Sequence, residues 1–237
     1  MISAGNLASW IARQAGGRGE PMRPSIFGPW TLELPGRTHA PALRKMSMAT
    51  PVRPQTLYAD RLESAIGTLL LIHDREGHMR ALDFHDFELR MRRLLRFHYG
   101  AEGNDFAIGD RAAPTAIRRA ISDYFLGDLC AIDSIPVTTG GTSFQREVWA
   151  ALRTIQAGTT LSYGALARQL GRPKSVRAVG LANAANPVAI VVPCHRVIGT
   201  DGSLSGYGGG ISRKRWLLVH EGVALEKFAT RHIPEAP

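Results

Sequence analysis

Cysteine is nearly missing from this 237-residue chain, which has only Cys130 and Cys194. Two thiols cannot build a disulfide scaffold or a cysteine-based zinc site, and so few of them suit a reducing compartment. A bond between them would also silence either one as a nucleophile. Long apolar runs are missing too. No window reaches the roughly 18 consecutive apolar residues of a membrane span, and the N-terminus lacks an apolar signal core, so a soluble, cytoplasmic protein is expected. Acidic residues are scarce in two of three segments. Residues 1–56 hold 7 basic and 2 acidic side chains, residues 57–141 hold 10 and 13, and residues 142–237 hold 12 and 5, so the net charge of +9 comes from the two ends. A basic face suits a polyanion, because phosphate neutralisation supplies most non-specific DNA affinity; a solvated cationic surface is the plainer account.

Residues 1–56 contain 7 of the 14 prolines and no sustained periodicity, which predicts a disordered or extended leader. Its arginines faintly suggest a transit peptide, but its prolines count against an amphipathic helix. Met46 and Met48 stand just ahead of the first patterned region, so the stretch before them reads as an upstream extension or a mis-set start. Next, an apolar run at 66–72, a turn at 74–77 and a second run at 79–84 predict a β-hairpin. Phe87, Met91, Leu94 and Leu95, then Ile117, Ile121, Tyr124 and Phe125, recur at helical spacing, making this part a small α+β domain. Residues 137–141 are turn-rich and read as a linker. Thr142 to Gln145 reads as a capping box that opens a helix with Phe144, Val148, Trp149, Leu152 and Ile155 on its apolar face. Residues 162–170, a short turn at 171–174, and a helix capped by Ser175 and running to about Ala185 match helix-turn-helix. Arg168, Arg172, Lys174 and Arg177 cluster there without an acid among them, as phosphate contacts would require.

The chemistry is concentrated further on. An apolar run, Val188 to Val192, delivers Pro193-Cys194-His195-Arg196 into a glycine-rich stretch. A free thiol titrates near pH ~8.5, so a nucleophile at neutral pH needs an imidazole, a helix N-terminus or cations nearby; His195 and Arg196 are candidates. Trp216 to Gly222 reads as a helix end with Gly222 as its C-terminal cap. A carboxylate there opposes the helix macrodipole by roughly 0.3–1 kcal/mol, so Glu221 suggests a separate task, such as orienting His195. Taken singly, Cys194 is a small buried hydrophobe, His195 a structural histidine and Glu221 a solvated charge. Together they make a nucleophile, a base and an orienting carboxylate.

These residues also carry a family resemblance. PCHRVIG from Pro193, Tyr207-Gly208-Gly209-Gly210, and WLLVHEG ending at Gly222 resemble the O6-alkylguanine-DNA alkyltransferases, also called methylated-DNA–protein-cysteine methyltransferases, and the bacterial constitutive type most of all. The match runs from about residue 58 to about residue 225 and is dense from Thr142 onward. An α+β fold is expected: after the leader at 1–56, the resemblance implies a ribonuclease-H-like domain at 57–137 without that chemistry and a mostly helical winged helix-turn-helix catalytic domain at 138–228, leaving a tail at 229–237. It implies a monomer acting on double-stranded DNA that contains O6-alkylguanine, with reach to O4-alkylthymine, and no membrane partner.

Roles follow residue by residue from the same resemblance. Glu221 holds His195, His195 acts through a water on Cys194, and Asn186 hydrogen-bonds around the active-site turn to align the thiol; a turn-forming Asn-Pro is its plainer reading. Arg177 matches the arginine that enters the base stack as the target nucleotide leaves, Tyr163 the tyrosine that assists flipping and donates toward the purine, and Ser175 and Val197 join the DNA- and substrate-binding set. A phosphate-binding arginine and a packed tyrosine are the plainer readings of Arg177 and Tyr163. Tyr207 and Gly208 lie in the loop that resembles a lid over the base; some relatives have serine at the latter position. The thiolate takes the alkyl carbon, guanine leaves as its anion, and the thioether is never cleaved, so each molecule acts once with no cofactor and no metal. Zinc-binding relatives use N-terminal cysteines, and this chain has none before Cys130. Two competitors remain at this stage: a Cys-His-Glu hydrolase, which would turn over, and a non-catalytic alkyltransferase-like DNA damage sensor.

Overall fold

The computed structural model describes residues 56–99 and 107–224. The leader before Thr56, including Met46 and Met48, and the expected tail at 229–237 lie outside the described residues. The first half is built on a sheet of β1 (Thr56–Leu62), β2 (Leu69–Asp74), β3 (Met79–Phe84) and β4 (Ala107–Asp110), in the order β3-β2-β1-β4. β1–β2 and β2–β3 are antiparallel, and β1–β4 is parallel. β2 and β3 form the expected hairpin. β1 was not legible beforehand, because Thr56–Leu62 mixes charges into a short run with no strict alternation.

β2 is buried along its whole length, and its period-2 geometry divides it between two cores. Leu69 and Leu71 face the main core, while Leu70 and Ile72 join Leu57, Ala81, Met91 and Leu95 in a smaller one. Met91 and Leu95, one turn apart on α1 (Glu88–Tyr99), thereby cover one sheet face, and each fully buried side chain contributes about 1.5–3 kcal/mol. α2 (Thr115–Phe125) puts Ile117, Ala120, Ile121 and Tyr124 into the main core.

The second half starts at α3 (Ser143–Leu152), opened by the expected capping box: Gln145 N–H donates to Thr142 Oγ1 and Thr142 N–H to Gln145 Oε1. α4 (Tyr163–Gln169), α5 (Val176–Ala184) and α6 (Ile211–His220) follow, with a parallel pair of short strands, β5 (Leu161–Ser162) and β6 (Val197–Ile198). The chain is thus a mixed α/β protein. Its main core draws Leu69, Leu82 and Tyr124 from the first half and Val148, Leu166, Val191 and Cys194 from the second. Backbone pairing joins the halves as well. Leu82 N–H donates to Pro187 O at 2.9 Å and Ala189 N–H to Leu82 O at 2.8 Å. The segment read as a linker begins on the same strand, where Thr138 N–H donates to Met79 O at 3.1 Å.

Candidate active site

The turn before Cys194 is wound more tightly than its sequence suggests. Val191 N–H donates back to Ala189 O at 2.8 Å, forming a γ-turn centred on Ile190, and Cys194 N–H donates to Val192 O at 2.8 Å around Pro193. Pro193 has φ −80° and ψ 63°, the relaxed γ-turn hand, which suits its ring. Ile190 has φ 68°, alone among the described non-glycine residues in adopting a positive value, and this is the strained hand. A β-branched residue there costs of order 1–3 kcal/mol, so the surroundings must enforce it. Asn186 does much of that: Nδ2 donates to Val192 O at 2.8 Å, and Oδ1 accepts from Val188 N–H at 3.0 Å. Its side chain also hydrogen-bonds the Cys194 thiol, which favours the thiolate.

Cys194 opens a single 3-10 turn through Arg196 and is 5% exposed. His195 and Glu221 are both buried, and His195 Nε2 lies 2.9 Å from Glu221 Oε1. An ionised carboxylate only accepts, so Nε2 carries the proton and Nδ1 is left as the basic nitrogen. Glu221 sits at the C-cap of α6, where Gly222 at φ 85° closes the helix. Gly222 N–H donates to Val219 O and Val223 N–H to Leu218 O, both at 2.9 Å, a Schellman closure that fixes the direction of the carboxylate.

Arg196 departs from expectation. Its guanidinium donates to Glu221 through Nε and an Nη, each at 2.9 Å, and also to Ile155 O, so it neutralises the buried carboxylate and is spent there. Tyr124 OH adds a donor to Glu221 Oε1 at 2.8 Å. Burial pushes the Glu221 carboxyl up, but His195 and Arg196 outweigh it and hold the group down at about 2. For His195 burial dominates the pull of Glu221, a carboxylate that Arg196 already compensates, and lowers its pKa. Burial pushes the Cys194 thiol up; Asn186 and the charges of Arg90 and Lys214 oppose it. Those two cations favour the thiolate, and sequence reading missed both. Lys214 is fully buried, lowered to about 8 by burial, and donates to Val197 O at 2.6 Å and Ser205 O at 3.0 Å.

The remaining expected residues gather around this group. Tyr163 is half-buried at the start of α4 and donates to Ser205 O at 3.5 Å. Burial raises its hydroxyl pKa and a charge on Cys194 raises it further, as it does for Tyr207. Val197 is fully buried, with its carbonyl taken by Lys214. Gly208 lies beside the Arg90 guanidinium. Arg177 is exposed on α5, whose outer face otherwise shows Val176, Ala178, Leu181 and Ala184. Ser175 stands at the N-cap of α5 but makes no side-chain cap bond, contrary to expectation; its φ of −96° and ψ of 24° lack the extended geometry that aims a capping oxygen at the helix. Arg172 is not a free phosphate contact either, because it pairs with Glu147 at 2.9 Å and stacks over Phe144.

Four buried side-chain polar atoms among the described residues lack a partner, and three of them, Asn183 Oδ1, His195 Nδ1 and Tyr207 OH, belong to this site. Asn183, unforeseen from sequence, also reaches Cys194 O through Nδ2 at 3.5 Å. Unpaired polar atoms are costly in a core and suit a pocket that receives a polar ligand. Among the described residues no group of three or more His, Cys, Asp and Glu could hold a metal ion, and no helix is long and apolar enough to cross a membrane.

Known proteins resemble this chain in sequence and fold. Residues 143–223 match the family described as 6-O-methylguanine DNA methyltransferase, DNA binding domain. The methylated-DNA–protein-cysteine methyltransferase of Salmonella typhimurium is 47% identical over 169 residues, covering 71% of this chain and 98% of that protein. A namesake from Methanosarcina acetivorans is 41% identical, covering 70% and 99%. The Mycobacterium tuberculosis OGT solved in complex with DNA overlays with a TM-score of 0.57 at 39% identity, over 69% of this chain and 92% of that one. With that identity over nearly the full length of its relatives, the chain belongs to the methylated-DNA–protein-cysteine methyltransferase family.

Proposed function

We propose that this protein repairs duplex DNA by moving the alkyl group of O6-alkylguanine, and of O4-alkylthymine, irreversibly onto Cys194. The observation that carries this reading is a buried thiol next to a His195–Glu221 pair and ringed by the unpaired atoms of Asn183, His195 and Tyr207. With Nε2–H held by Glu221, Nδ1 of His195 takes the thiol proton through a water. The thiolate attacks the alkyl carbon in line, the S–C bond forms as the C–O6 bond breaks, and the electron pair leaves on guanine. Tyr163 donates toward the purine ring and offsets that charge, and the proton from the thiol completes neutral guanine. The product is a thioether, a poor leaving group, so each molecule acts once.

A stacked base cannot meet an in-line thiolate, so the nucleotide must flip out, which a damaged pair resists less. The outer face of α5, apolar apart from Arg177, supports entry of this helix into a minor groove, with Arg177 filling the vacated stack and Ser175 on the backbone. We assign a ribonuclease-H-like domain to 57–137 and a winged helix-turn-helix catalytic domain to 138–228, acting as a monomer in a reducing compartment. The test is intact mass and peptide mapping after incubation with an O6-methylguanine duplex. One methyl on Cys194, saturating at one per protein, and none in Cys194→Ala, is expected. An unmodified Cys194 in a protein that still binds the lesion would instead establish a damage sensor, and turnover on an ester or amide a hydrolase.

A further inference from the structure

The backbone does not require glycine at 208. Its neighbours Gly206 and Gly210 adopt left-handed φ values of 55° and 92°, but Gly208 does not, so an L-residue could hold its conformation. The obstacle is a side chain from the other half of the molecule: a Cβ at 208 would overlap the guanidinium of Arg90 on α1. That group is not free to swing aside. It is paired with Asp83, which is 1% exposed on β3, and donates to Ala184 O at 3.2 Å and Asn186 O at 3.5 Å. Displacing it would strand a buried carboxylate and release both carbonyls, one at the end of α5 and one on the residue that pins the Cys194 turn.

We propose that Arg90 is a positioning residue for the reaction and the reason for glycine at 208: locked on Asp83 and the Asn186 turn, its guanidinium fills the space a side chain would need there. This rests on the alkyl-transfer reading. Arg90 also opposes the effect of burial on the thiol, so its removal has a chemical consequence besides a structural one.

The experiment compares the native protein with Gly208→Ala, Arg90→Met and the double variant. Two quantities are read: the single-turnover rate on an O6-methylguanine duplex, and the pH dependence of Cys194 alkylation by iodoacetamide. Gly208→Ala should slow transfer roughly tenfold and move the thiol titration to higher pH, as Arg90→Met does, and the double variant should be no worse than Arg90→Met alone. Gly208→Ala at the native rate, or a double loss equal to the product of the single losses, would overturn the proposal. If Arg90→Met does not fold, Arg90→Lys keeps a cation against Asp83 while clearing the space beside 208. Gly208→Ala must then be tolerated in the lysine background and not in the native one, and equal losses in both would refute the coupling. Should the native protein take no methyl on Cys194, the alkyl-transfer reading fails by itself, and the iodoacetamide curves still decide whether 90 and 208 are coupled.

Discussion

Glu221 is the most heavily satisfied side chain of the site: Oε1 accepts from His195, Arg196 and Tyr124, and Oε2 from Arg196. Removing the carboxylate charge strands Arg196, so Glu221→Gln should cost about 3–5 kcal/mol of stability, measured by chemical denaturation. A loss under 1 kcal/mol would contradict the buried network. Tyr124→Phe removes one donor and keeps the ring that packs edge-on against Phe125 and His220. A less neutralised carboxylate stabilises the imidazolium, so the acid limb of the transfer rate should move to higher pH, and an unchanged profile would remove Tyr124 from the mechanism. Acid should also weaken the fold. The lowered pKa of His195 means the unfolded chain binds a proton below about 6.5 that the folded one refuses, and Glu221 follows from 4.5 downward to about 2, so stability falls as pH drops through both windows. Denaturation midpoints at pH 7.5 and 5.5 should therefore differ less in His195→Gln than in the native protein. At this scale the sequence exposed Cys194, His195 and Glu221, because a motif and a helix end announced them. Arg90, Lys214 and Tyr124 were hidden by distance along the chain. Ile190 was hidden because nothing in an apolar run foretells a left-handed isoleucine.

Elements were readable where a local rule governs them. The capping box of α3, the Gly222 closure of α6 and the β2–β3 hairpin all followed from residues within a few positions of one another. The start of α5 did not, since Ser175 has the right identity for a cap and the wrong dihedrals. β4 eluded the reading for another reason: four residues pairing in parallel with β1 make no periodic signal of their own. The outer face of α5 supplies a prediction about the element as a whole. Arg177→Ala should slow repair of duplex DNA by far more than it slows reaction with free O6-benzylguanine, because the free base needs no flipping. Equal losses on both substrates would assign Arg177 to the pocket instead.

For the whole molecule, the main core crosses the division expected from the chain. Leu69, Leu71 and Tyr124 share one apolar cluster with Val148, Leu166 and Cys194, and Leu82 pairs with the turn that leads to the thiol. Residues 56–224 should therefore melt as one unit, with tryptophan fluorescence and far-ultraviolet circular dichroism giving coincident transitions; two resolved steps would show that the halves unfold independently. Sequence could not reveal this, because pairing between Leu82 and Pro187 or Ala189 depends on closing a very long loop. That pairing has one more consequence. β3 lies at the margin of its sheet, and an open margin is a template on which strands from other molecules add, the usual beginning of aggregation. Here both ends of that margin are covered, near Met79 by Val137 and near Leu82 by Val188, so the reactive-cysteine turn also serves as the sheet's guard against self-association.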